Sequence, residues 1–122
     1  MARELTEDDK KLVADMLQRA RNAMAEVEDY SQAQLDRLAQ AIGWYAGNEV
    51  TFTRLAQMGV DESTIGDREG RPGKRFKIHG VLRDALRQKS TGVVEVDVAK
   101  GLMKYAKPAG VIASLIPMTN PA

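Results

Sequence analysis

The chain has 122 residues, 43% of them hydrophobic, and its 18 basic residues nearly balance its 17 acidic ones. This length suits one domain, and the balanced charge provides no strong field for nucleic acid or an anionic membrane. The chain has no cysteine, so it offers no disulfide and no thiol nucleophile. Because its first residues are charged and no stretch reaches the ~20 apolar residues of a membrane span, we expect a cytoplasmic protein with neither a membrane nor a nucleic-acid partner.

Capping residues predict where the first helices begin. Thr6 is followed three residues later by Asp9, and Ser31 by Gln34, which is the spacing of a capping box. Asn48 is a typical N-cap residue for a third helix. Together with one more helix further along the chain, these signals predict four helices over about 6–89.

Apolar residues repeat at three- and four-residue steps within the first two helices, which predicts one buried face on each. The first face is Leu12, Val13, Met16, Leu17, Ala20, Met24 and Val27, and the second is Leu35, Leu38, Ala39, Ile42 and Tyr45. Trp44 is the only tryptophan, and no alternation of basic and aromatic residues surrounds it. It is therefore predicted to anchor packing and not to stack on a base.

A basic stretch, DREGRPGKRFK at 67–77, interrupts the helical pattern. It invites comparison with a phosphate-binding loop, but Arg75 stands after Lys74 where that motif needs Ser or Thr. A solvated connection is the favoured interpretation, with an anion site as the alternative. A fourth helix is expected from about Lys74 to Gln88. It carries His79, which has no catalytic partner at a recognisable spacing and is predicted to be structural or exposed.

The C-terminal third predicts β structure. Alternating valines and a return over Leu102–Ala106 indicate a hairpin at about 92–107, with Gly101 at a positive-φ turn position. A short apolar run bounded by turn residues follows at about 110–116 and is typical of a strand buried on both faces. The polar loop 117–122 comes after it. Ligands of open α/β sheets bind beyond the carboxyl ends of strands, so this loop is a candidate site.

A strand buried on both faces needs partners, and the hairpin is the only other β structure predicted. We therefore expect the chain to be the leading part of a longer α/β protein. The alternative is a small α+β domain in which the hairpin and the strand pair with each other or with another copy.

The chain resembles the N-terminal part of the aldehyde dehydrogenase superfamily, and most closely its CoA-acylating branch of acetaldehyde, propionaldehyde and sulfoacetaldehyde dehydrogenases. The resemblance is carried by RARNAMAEVEDYSQAQLDRLAQAIGWYA at 19–46 and by GVVEVDVAKGLMKYAKPAGVIASLIPMTNPA at 92–122, and more weakly by the helix around 81–84. It implies an α/β parent fold in which 1–122 form the N-terminal portion of an NAD-binding domain. It also implies that the hairpin mediates homo-oligomerisation.

The resemblance further implies a site at the end of the chain. The backbone of Ile116, Pro117, Met118 and Thr119 would bind the nicotinamide half of NAD or NADP, with coenzyme A as co-substrate. Asn120 would match the asparagine whose amide helps to form the oxyanion hole for a small aldehyde. In hydrolysing members that asparagine stands two residues after the proline, whereas Asn120 stands three after Pro117, as in acylating members.

The sequence departs from the family pattern in some positions, and other functions are possible. Acylating relatives often have Thr-Pro-Ser-Thr-Asn-Pro where this chain has IPMTNP at 116–121. The family's nucleophilic cysteine is absent, so the 122 residues alone are expected to be inactive. Asn120 could also serve only as a turn residue that bonds its own backbone. Two other functions stay open: a small helical, self-associating interaction module without catalysis, and anion or nucleic-acid binding through Arg68–Lys77, against which the near-zero net charge counts.

Overall fold

A computed structural model describes residues 3–117 of the chain. Within that range the protein has four α-helices and a two-stranded antiparallel sheet, as predicted, and one 3-10 helix that was not predicted. The elements are α1 (Glu7–Glu26), α2 (Gln32–Gly47), α3 (Glu49–Ser63), the 3-10 helix (Arg71–Lys74), α4 (Arg75–Ala85), β1 (Gly92–Asp97) and β2 (Leu102–Ala106).

The predicted caps begin the first three helices. The Thr6 hydroxyl accepts from the Asp9 N–H at 3.2 Å, and the Asp9 carboxylate accepts from the Thr6 N–H at 2.8 Å. Ser31 and Gln34 form the same reciprocal pair at the start of α2. The Asn48 side-chain oxygen accepts from the backbone of α3 at 3.0 Å. Each cap satisfies backbone donors that a helix start leaves unpaired, so these boundaries are local properties of the sequence.

The core lies among α2, α3, α4 and the 3-10 helix, which pack on one another. Phe52 and Ala56 on α3 are its buried apolar residues within 3–117. Gly43 lets α2 approach α4 closely, because a Cβ at that position would lie 2.7 Å from a terminal methyl of Leu82. We call α2, α3, the 3-10 helix and α4 the helical body.

Two predictions of burial are wrong within the described residues. The apolar face of α1 is exposed along Leu12, Val13 and Met16, because α1 makes no more than marginal contact with the other described elements. On α2, the Trp44 side chain is 70% exposed and does not anchor packing, and Leu38, Ile42 and Tyr45 of the predicted face are exposed as well. Amphipathic spacing identified both faces correctly as apolar, but no described element covers the face of α1, and α4 covers that of α2 only in part.

The hairpin has the predicted position and turn. Gly92 pairs with Ala106 and Asp97 with Leu102, with an irregularity between Val93 and Glu95. Gly101 has a φ of 64°, as expected for the turn. Apolar side chains of both strands are exposed, and each strand has one unpaired edge among the described residues. Open apolar edges of this kind are surfaces on which further strands pair.

The predicted buried strand at 110–116 is not present. Residues 107–117 have no regular secondary structure, and 111–117 are exposed, with the Leu115 side chain 99% exposed. A strand requires a hydrogen-bonded neighbour, and the described residues supply none to this segment. The segment is apolar by composition but uncovered.

Membrane insertion by a helix finds no support in this part of the chain: none of the helices described over 3–117 is long and apolar enough to cross a bilayer.

Candidate functional site

The structure describes only part of the predicted cofactor and oxyanion loop. Ile116 and Pro117 are exposed, and Ile116 is 69% exposed, at the end of the uncovered segment. Met118, Thr119 and Asn120 lie outside the described residues. The two described residues are therefore placed on the surface, and the proposed roles of all five stay predictions.

The basic connection between α3 and α4 is mostly exposed, as predicted, and is ordered by its own polar groups. Asp67 accepts from the N–H groups of Glu69 and Gly70 at 3.0 and 2.8 Å. Arg68 donates to both carboxylate oxygens of Asp61 at 2.9 and 2.8 Å. These contacts form a local turn that leads into the 3-10 helix.

Arg71 is the exception to the prediction of a solvated connection. Its side chain is buried, with 8% of the residue exposed. Its Nη2 donates to the Ile65 carbonyl at 3.3 Å, just beyond the C-terminus of α3. Gly66 has a φ of 108°, and a Cβ there would overlap the guanidinium. A glycine at 66 and the carbonyl end of a helix together make room for a cation and stabilise part of its charge.

The other terminal nitrogen of Arg71, Nη1, is inaccessible to solvent and makes no hydrogen bond within residues 3–117. Two nearby carboxylates bond other arginines: Asp61 pairs with Arg68, and Glu49 pairs with Arg75 at 3.1 Å. A buried cationic donor without an acceptor costs free energy, and native proteins rarely tolerate one. Arg71 Nη1 is thus a buried donor that lacks an acceptor among the described residues.

Lys74 and Lys77 add positive charge near Arg71 in the sequence. Partial burial lowers the pKa of Lys74, and the positive charges of Arg71 and Lys77 lower that pKa further.

His79 has a structural position, as predicted. Its Nε2 lies 3.1 Å from the Gly47 carbonyl at the C-terminus of α2, and its ring meets Phe76 edge-on with the centroids 6.2 Å apart. It therefore bonds a carbonyl that the helix end leaves unpaired, and it joins α2 to α4.

The sequence did not single out Arg71 among the five basic residues of 67–77. Its burial depends on how the 3-10 helix packs against α3, which no local pattern encodes. The one sequence feature that could have indicated a buried Arg71 was Gly66, which lies just beyond the end of α3. A glycine at that position is equally typical of a residue that only terminates a helix.

The resemblance to the N-terminal part of a CoA-acylating aldehyde dehydrogenase is confirmed by curated relatives. The chain is 39% identical over 112 residues to the sulfoacetaldehyde dehydrogenase (acylating) of Bilophila wadsworthia, which is 91% of this chain and 24% of that protein. It is 34% identical over 111 residues to the sulfoacetaldehyde dehydrogenase of an Acholeplasma species, covering 90% and 23%. A succinate-semialdehyde dehydrogenase (acetylating) of Clostridium kluyveri is 29% identical over 110 residues, covering 89% and 24%.

The chain thus spans about a quarter of the length of these relatives. No family model matches it. No solved structure matches it either.

Proposed function

We propose that this chain is the N-terminal portion of an NAD-dependent, CoA-acylating aldehyde dehydrogenase of the cytoplasm. The observation that supports this most is the similarity of about nine-tenths of the chain to dehydrogenases named as acylating. The enzyme would oxidise a short aldehyde to an acyl-CoA, and sulfoacetaldehyde is the first substrate to test. The 122 residues alone would be inactive, because they contain no cysteine to attack the aldehyde.

Asn120 is proposed to stabilise the oxyanion. Attack of a thiolate on an aldehyde places negative charge on the aldehyde oxygen, and a side-chain amide donor held at that oxygen lowers the barrier. Pro117 and Pro121 flank the loop in sequence, and each fixes its own φ. A loop restricted in this way would hold the amide with less loss of entropy.

The test is Asn120→Ala in the longest natural protein that contains this chain. We expect turnover to fall by about 10²–10³, the usual cost of removing one oxyanion donor. Asn22→Ala is the matched control, since Asn22 is exposed on α1 and bonds only Gln18 among the described residues. Unchanged turnover of Asn120→Ala with sulfoacetaldehyde, NAD and CoA would reject the assignment.

The cofactor is proposed to lie along residues 116–119. The exposure of Ile116 and Pro117 is compatible with this, because backbone that no described element covers is available to a ligand. NAD accepts a hydride when bound. The part of this chain would be to position the nicotinamide through backbone contacts. NADP in place of NAD is tested by comparing the two in the same assay.

The parent α/β fold and the homo-oligomer are part of the same proposal. Residues 110–116 would become a sheet strand once neighbouring strands are present, which would cover Leu115. The hairpin would pair with a neighbouring subunit through its open edges. Light scattering of the complete protein should show a homo-oligomer, and a protein that remains a monomer at high concentration would reject this assembly.

A second candidate is a helical, self-associating interaction module without catalysis. It is favoured by an apolar groove of about 550 Å³ between α2 and α4, lined mainly by residues such as Ile42, Val81 and Leu82. Self-association of the 122 residues together with a complete lack of aldehyde oxidation by the natural protein would support it. Oxidation that requires both NAD and CoA would exclude it.

A further inference from the structure

We propose that hydrogen bonds at the base of the hairpin fix the direction in which the hairpin leaves the helical body. Gln32 at the start of α2 and Ser90 in the connection 86–91 form these bonds, and Gly92 at the start of β1 serves as the hinge. The Gln32–Ser90 pair is called the clasp below. The inference rests on the proposed function only for its consequence in subunit assembly.

The clasp joins residues that are 58 positions apart in the chain. The side-chain oxygen of Gln32 accepts from the Ser90 N–H at 2.9 Å, and its side-chain nitrogen donates to the Ser90 hydroxyl at 3.1 Å. The same nitrogen donates to the Asp36 carboxylate at 2.6 Å, one helical turn further along α2. Because Asp36 engages the nitrogen side of the amide, the oxygen of Gln32 is directed to the Ser90 N–H.

Apolar packing does not hold the hairpin on the helical body. Among the described elements, β1 and β2 pack on each other and make no more than marginal contact with any helix. Apolar side chains of the hairpin, such as Val96 and Met103, are exposed. A fixed placement of the hairpin therefore depends on the connection 86–91 and on the bonds made to it. Within residues 3–117, the clasp is what bonds that connection to α2.

Gly92 gives the chain a place to turn into β1. It has a φ of 72°, a conformation that other residues rarely adopt, and an added Cβ would meet nothing within 4 Å. A glycine is therefore favoured here by its backbone angle and not by a lack of space. Lys89 donates to the Val93 carbonyl at 3.3 Å and so spans the same turn. Rotation at Gly92 would swing the hairpin, and the clasp holds the residue two positions before it.

The direct test measures the distance between the helical body and the tip of the hairpin. The chain contains no cysteine, so Arg37→Cys on α2 and Val98→Cys in the hairpin turn each accept one nitroxide label. We expect a narrow distance distribution by double electron–electron resonance. Adding Gln32→Met should broaden it, because losing the clasp bonds lowers the preference for one direction by about five- to thirtyfold.

The choice of variants separates hydrogen bonding from packing. Gln32→Met keeps the length and the apolar stem of the side chain and removes both of its polar groups. Ser90→Ala keeps the backbone N–H, so it should retain the shorter bond and most of the narrow distribution. Gln40→Ala is the matched control, because Gln40 is exposed on the same helix and takes no part in the clasp.

Equal widths in the unmodified chain, Gln32→Met and Gln40→Ala would overturn the proposal. A broad distribution in the unmodified chain would overturn it too, since the hairpin would then not be held. If Gln32→Met lowers the helix content seen by circular dichroism, Ser90→Pro takes its place, because it removes the N–H donor from outside the helices. The same comparison of widths then decides.

Subunit assembly separates this inference from the proposed function. In the longest natural protein that contains this chain, Gln32→Met should raise the concentration at which the homo-oligomer dissociates by about five- to thirtyfold, because fewer hairpins have the direction required for pairing. Sedimentation velocity measures this. A broadened distribution with unchanged assembly would support the clasp and remove the hairpin from the proposed assembly. A natural protein that oxidises no aldehyde, with a distribution that still depends on Gln32, would reject the enzyme and support the clasp.

Discussion

The helical body and the segment 107–117 have comparable apolar character, but only the helical body buries any of it. In α2 and α3 a polar cap fixes the start of each helix within a few residues, and α3, which carries the buried Phe52 and Ala56, packs against α2 and the 3-10 helix. The segment 111–116 also contains large apolar residues, including Ile112, Leu115 and Ile116, yet these side chains are exposed. A helix satisfies its backbone internally, whereas a strand depends on neighbours that are distant in sequence.

The largest contrast should appear on truncating one large apolar side chain in each region. Phe52→Ala should lower the free energy of unfolding by about 3–5 kcal/mol, because it removes a buried aromatic and leaves a cavity. Leu115→Ala in the same 122 residues should change it by less than about 0.5 kcal/mol, because Leu115 is already exposed. Urea denaturation followed by circular dichroism measures both. Equal losses of unfolding free energy in the two variants would show that the helical body and the segment 107–117 do not differ in burial.

Two glycines test how closely the helical body is packed. At Gly80 on α4 an added Cβ meets nothing within 4 Å, so Gly80→Ala should stabilise the fold by up to ~1 kcal/mol through helix propensity. At Gly43 on α2 the added Cβ would displace Leu82, so Gly43→Ala should gain less or lose stability. The same denaturation experiment compares the two variants. A larger gain at Gly43 than at Gly80 would contradict the close approach of α2 and α4.

The smallest effect is expected at the start of α1, which packs on little else. Hydrogen bonds from Arg3, and then from the Thr6 backbone and hydroxyl, lower the pKa of Asp9 from 3.8 to about 2. Because the folded-state pKa is depressed, the contribution of Asp9 to helix stability is complete above pH 3.8. It is lost as the pH falls through about 2. Exposure of the pair keeps this contribution small.

An NMR titration of the Asp9 carboxyl carbon tests whether the pKa of Asp9 is lowered. The midpoint should lie well below 3.8 and should move upward in Arg3→Gln, with Arg37→Gln on α2 as the charge-matched control. A midpoint at the ordinary value in the unmodified protein would mean that the cap and its ion pair do not persist in solution.

The helix starts, the hairpin and its turn could be predicted from the sequence, because each depends on residues within a few positions of one another. Thr6, Ser31, Asn48 and Gly101 carry that information in their own side chains or backbone freedom. The amino-acid sequence also showed the resemblance to acylating dehydrogenases, through residues 19–46 and 92–122. The curated relatives confirm that resemblance.

The packing of distant elements on one another determines which apolar faces are covered and which cation is buried. Periodicity marks a face as apolar on α1 as clearly as on α3, but burial requires a second surface, and for α1, Trp44 and 111–116 the described residues provide none. Arg71 lies in a stretch of similar basic residues, and it is distinguished only by the packing of the 3-10 helix against the end of α3. Burial is a relation between distant parts of a chain, so a pattern within one part cannot specify it.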